Sequence, residues 1–70
     1  MKDLTDRQAE VLTFIQQHID ALGYAPSLRE VSQRFDMSLN AVAEHLAALE
    51  RKGTIRRTNG VARSIVIENT

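Results

Sequence analysis

Three helix-start signals, at Thr5, Ser27 and Ser38, leave few ways to fold the chain between them. Thr5 with Gln8, and Ser27 with Glu30, have the form of a capping box, in which a hydroxyl and a side chain three residues on satisfy each other's free backbone N–H groups. Asp6 adds an acid in the first turn, where the helix dipole favours it. A first helix is therefore predicted from Asp6. Val11, Phe14, Ile15, His18, Ile19 and Leu22 recur on its buried face, and Gly23 supplies a left-handed C-cap. Tyr24, Ala25 and Pro26 run extended, because the residue before proline is pushed out of helical space, and could form a minimal edge strand. The second helix, with Leu28, Val31 and Phe35 on one side, has room for about two turns and persists only by packing. Asp36, Met37 and Ser38 make a tight connection, and Ser38 caps a third helix running from residue 39 to about 52, ended by Gly53. Two helices joined so closely form a helix-turn-helix.

Two β-prone runs follow, residues 54–57 and 62–67, flanking the turn signal Asn59-Gly60. They are predicted to pair as a hairpin. A two-residue loop would set Ile55 opposite Ser64, whereas a loop of Asn59, Gly60 and Val61 sets Ile55 opposite Ile65; the second keeps both isoleucines on the core side and is preferred. In that register Arg57 and Arg63 lie across from each other near the tip. Facing like charges cost about 0.2 to 1 kcal/mol unless an anion sits between them, and a phosphate backbone would supply one. The competing reading is an arginine-decorated edge that discourages strand pairing.

Seventy residues with 43% apolar content and no cysteine make one small domain over residues 1–70, held by packing alone. The longest apolar run is four residues, Leu46 to Leu49, far short of a membrane span, so the chain is expected to be soluble and cytoplasmic. The zero net charge hides an asymmetry. Residues 1–50 carry four basic and eight acidic side chains, whereas residues 51–67 carry Arg51, Lys52, Arg56, Arg57 and Arg63 with no acid. That end is a candidate anion-binding surface.

The third helix has two unlike faces. Val42, Leu46 and Leu49 form the inward stripe, with Leu39 and Ala48 at its edges. The other face holds Asn40, Ala41, Glu44 and Ala47, with Ser38 and Ala43 adjoining; it is short and polar. Such a face suits the major groove, where small side chains permit close approach, Asn pairs with adenine and a carboxylate accepts from the cytosine amino group. Alanine and glutamate also populate solvated helix surfaces for their helix propensity alone. The basic segment that follows tips the balance toward DNA.

Three helices, a helix-turn-helix and a C-terminal hairpin make an α+β winged helix. The stretches "LTDRQAEVLTFIQQHI", "APSLREVSQRF" and above all "SLNAVAEHLAALERKGTI" resemble the N-terminal DNA-binding domain of the LexA repressor family, the bacterial SOS regulators, over nearly the whole chain. The resemblance implies that Ser38, Asn40, Ala41 and Glu44 read bases, that Arg51 and Lys52 meet phosphate, and that the hairpin bearing Arg57 and Arg63 is the wing. Arg56 joins this phosphate-binding group. Leu39 stands where the family usually has proline and Ala43 where an acid is expected, so the base preference is expected to differ from an SOS box. The basic residue usual at the start of the second helix is displaced from Leu28 to Arg29, which argues against a phosphate contact there. The features together describe a divergent member or a paralogue.

The expected partner is double-stranded DNA, as a palindromic operator bound by two copies, since one domain presents one recognition helix. No membrane, small-molecule substrate, cofactor or metal partner is expected. The Ser/Lys self-cleaving domain of the family lies outside these residues, so no enzymatic activity is assigned. His18 and His45 read as core-edge histidines, and there is no His-x-x-x-His pair or cysteine to hold a metal. Phe14, Tyr24 and Phe35 are spaced for packing and not as a stacking platform for single strands. The rival class is a winged helix that uses the same face to bind another protein.

Overall fold

The structure, a computed structural model, describes residues 4–58 and 60–68. Three helices, α1 (Asp6–Leu22), α2 (Leu28–Phe35) and α3 (Leu39–Arg51), precede strands β1 (Ile55–Arg56) and β2 (Val66–Ile67). Both capping boxes form: the Thr5 and Ser27 hydroxyls accept from the Gln8 and Glu30 backbone N–H groups, and those side chains return the bond. Ser38 Oγ accepts from Ala41 N–H at 3.1 Å and caps α3. Gly23 ends α1 at φ 83°, a conformation open to glycine because it lacks a Cβ.

Helix α3 is the centre of the domain, packing against α1, α2 and β1. Its Val42, Leu46 and Leu49 are fully buried against Val11 and Ile15 of α1, Val31 of α2, and Ala25, Ile55 and Ile65. The expected inward stripe of α3 is therefore the floor of the core, and α1 and α2 orient it. Three expected core residues lie outside: Leu22 is 54% exposed, Leu28 39% and Leu39 45%. Each sits at the end of its helix. The connection between α2 and α3 is tied by Ser32, whose hydroxyl donates to the Met37 carbonyl while its own carbonyl accepts from Met37 N–H. Asp36 takes the left-handed conformation there (φ 53°), which a short polar side chain tolerates.

Two sequence expectations are corrected. Residues 24–26 do not form a strand; β1 and β2 make the only sheet among the described residues. The hairpin register is displaced by two residues: Ile55 pairs with Ile67 and Arg56 with Val66, instead of Ile55 with Ile65. A two-residue slip preserves the alternation of faces, so Ile55 and Ile65 still reach the core although they no longer face each other. Beyond β1 and β2 the loop is held by side chains. Ser64 Oγ accepts from Thr58 N–H and donates to Thr58 O, both at 3.0 Å, and Val61 N–H reaches Thr58 O. The expected tip at Asn59 lies outside the described residues.

Candidate nucleic-acid interface

Helix α3 exposes Asn40 and Glu44, with Ala47 half-buried and Arg51 exposed further along the same face. Positions 40, 44, 47 and 51 fall in one row at helical spacing, opposite the buried stripe. Ala41 and Ala43 are half-buried beside the row and add only methyl groups to that surface. Ser38 is exposed, and its oxygen serves the N-cap while its O–H can still donate. The four residues expected to read bases thus occupy one end of α3, with Asn40 and Glu44 as the polar pair.

The five cations expected at phosphates fall into unlike groups. Arg51 is exposed and has no ion-pair partner among the described residues. Lys52 Nζ donates to Gln8 Oε1 at 2.7 Å, a bond that ties the end of α3 to the start of α1. Arg56 is 70% exposed and loosely paired with Glu68 at 3.8 Å. Arg57 is different: its Nε donates to Glu50 Oε1 at 2.9 Å and its side chain is only 19% exposed. Arg63 reaches across the molecule to Glu30 at 2.6 Å and to the Ala25 carbonyl at 3.2 Å. The expected juxtaposition of Arg57 and Arg63 is absent, because the register shift lets each arginine find a carboxylate and removes the like-charge pair.

Glu30 feels this contact directly. The hydrogen bond from Arg63, with further help from Ser27 N–H, holds its carboxyl down at about 2, and Glu30 in turn raises Arg63. His18 sits beside the pair as the core-edge residue its spacing predicted. Its Nδ1–H donates to Tyr24 O at 2.8 Å, and Nε2 lies 3.8 Å from Glu30 Oε1. Sequence reasoning gave no warning of these long-range contacts, nor of the Arg7–Phe35 and Arg34–Phe14 stacking on the other side of α1 and α2. The capping boxes showed that Glu30 is structurally engaged, but not with what.

Between the starts of α2 and α3 and the wing loop lies an open groove of about 490 Å³, lined in part by Leu28, Leu39, Val61 and Ala62. Leu28 and Leu39, exposed at the starts of their helices, find their place here. Among the described residues no cluster of His, Cys, Asp or Glu is arranged to hold a metal, and no helix is long and apolar enough to cross a membrane.

A helix-turn-helix whose second helix carries a small-residue face, followed by a two-stranded hairpin, defines a winged helix-turn-helix domain. The family model for the LexA DNA binding domain matches residues 1–64. Similar proteins include the LexA repressor of Thermotoga maritima, 47% identical over 70 residues and covering 100% of this chain and 36% of that protein. The LexA repressor of Geobacter sp. strain M21 is 44% identical over 99% of this chain and 35% of its own length, and that of Myxococcus xanthus 43% identical over 94% and 30%. The chain belongs to the LexA DNA-binding domain family. It spans about a third of the length of these relatives.

Proposed function

We propose that this chain is the DNA-reading part of a LexA-like transcriptional repressor, acting on double-stranded DNA in the bacterial cytoplasm. The observation that carries the reading is the row of Asn40, Glu44, Ala47 and Arg51 on the outer face of α3, continued by the cations that follow it. The N-terminal half of α3 enters the major groove, where Asn40 pairs with adenine and Glu44 accepts from a cytosine amino group. Ser38 and Ala41 flank them, offering an O–H donor and a methyl surface for thymine. Phosphates meet Arg51, Lys52 and Arg56, which seat the domain without reading sequence. Arg57, already bonded to Glu50, props the root of the wing. A palindromic operator takes two copies, one per half-site.

The test is a fluorescence anisotropy titration of the chain against a random duplex pool and against a palindromic duplex enriched from it, at about 50 and about 200 mM salt. Salt-sensitive binding that is tighter on the enriched palindrome supports the reading. Absence of binding to either duplex refutes it and leaves the protein-binding winged helix.

A further inference from the structure

Three elements meet at one carboxylate oxygen. Glu30 Oε1 accepts from Ser27 N–H at 2.8 Å within the α2 cap, lies 3.8 Å from His18 Nε2 of α1, and takes the Arg63 guanidinium of the wing loop at 2.6 Å. The same Arg63 nitrogen donates to the carbonyl of Ala25, a core residue between α1 and α2, and the guanidinium carbon lies 4.9 Å from the centre of the Tyr24 ring. Arg63 adopts a left-handed backbone conformation, φ 57°, which is unfavourable for its side-chain type and needs compensating contacts. A residue that only awaited a phosphate would need neither that backbone nor these partners. The contact spans 33 residues of chain and joins the loop to the start of α2, away in sequence from the paired residues of β1 and β2.

We propose that Arg63 is a positioning residue and not a DNA ligand: its clasp on Glu30, Ala25 and Tyr24 fixes the wing loop against the start of α2, and so sets the wing's placement relative to α3. This rests on the DNA-binding reading above. The sheet itself is only two residues long on each strand, too short to define the wing's direction. The clasp supplies the second point of attachment. The wing, with Arg56 on β1, is then placed before binding, and loss of the clasp lowers affinity without removing a charge from the phosphate track.

The test compares wild type, Glu30→Gln, Arg63→Gln and the double variant on a duplex enriched by the wild-type chain from a random library. Gln retains the capping role at position 30, so the α2 cap survives the loss of charge. Each single variant is expected to weaken binding by roughly three- to tenfold, the range a partly exposed charge-assisted bond sustains. The double variant should be no weaker than the singles, and the salt slope of all four should coincide. In the free wild-type chain, the Arg63 side-chain NMR signals should be ring-shifted by Tyr24, and Glu30→Gln should reduce that shift. A salt slope shallower by about one in Arg63→Gln, with Glu30→Gln binding as wild type, would overturn the proposal and return Arg63 to the phosphates. Failure of the wild-type chain to enrich any duplex counts instead against DNA binding itself.

Discussion

The salt dependence of DNA binding separates two counts of the same five cations. If Arg51, Lys52, Arg56, Arg57 and Arg63 all met phosphate, each domain would release about five counterions, giving a slope of log affinity against log salt near about −4.5 and a roughly 500-fold loss between about 50 and about 200 mM. The structure binds Arg57 to Glu50 at 2.9 Å and Arg63 to Glu30 at 2.6 Å. Those two charges are already balanced at short range, and moving either to a phosphate would strand a carboxylate. If only Arg51, Lys52 and Arg56 meet phosphate, the slope is near about −2.7, a roughly 40-fold loss over the same range. The assay is anisotropy on a half-site duplex, so that one domain binds one site, at five or more salt concentrations. A slope near about −4.5 would refute the reasoning, since it requires both arginines to leave their carboxylates when DNA arrives.

Asn40→Ala should cost about 1 to 3 kcal/mol on the preferred duplex and relax the choice at one base pair; equal weakening on every sequence would show that Asn40 does not read a base. Ile15, fully buried on α1 against α3, should lose about 2 to 5 kcal/mol on change to Ala, lowering the thermal midpoint by at least about 10 °C in calorimetry. Glu30 has a folded pKa of about 2 against an ordinary 4.5, so its contribution to stability is complete above the ordinary value and is lost as pH falls from 4.5 towards 2. Thermal unfolding followed from about pH 6 to about pH 2.5 should show this decline, and Glu30→Gln should lessen it; an unchanged decline would remove the group from the acid transition.

The helices were legible because their causes are local. Thr5, Ser27 and Ser38 each act on a backbone group three residues away, and Gly23 on its own φ, so a linear reading finds them. The buried stripe of α3 was legible for the same reason, through its periodicity. The wing was not. Its parity survived because Ile55 and Ile65 must both turn inward, but the pairing moved by two residues. The observed register goes with Ser64 bridging to Thr58 and with Arg63 on Glu30 and Arg57 on Glu50, and the last two partners lie outside the hairpin sequence. Leu22, Leu28 and Leu39 misled in the opposite way: periodicity places them on an apolar face, but a helix end can project past whatever covers the rest of that face. The outer face of α3 was legible as a surface, and Ser38 was legible as the cap at its start.

Helix α3 keeps its two tasks on separate residues. Val42, Leu46 and Leu49 hold the fold together, while Asn40, Glu44 and Ala47 stand on the opposite side and belong to no part of the buried cluster. A change of recognition is therefore available without a change of scaffold: a library randomised at positions 40, 44 and 47 retains the same floor beneath it, provided the substitutes tolerate a helix. Such a domain is free to drift from one operator to another in small steps, each intermediate remaining folded while its address is rewritten.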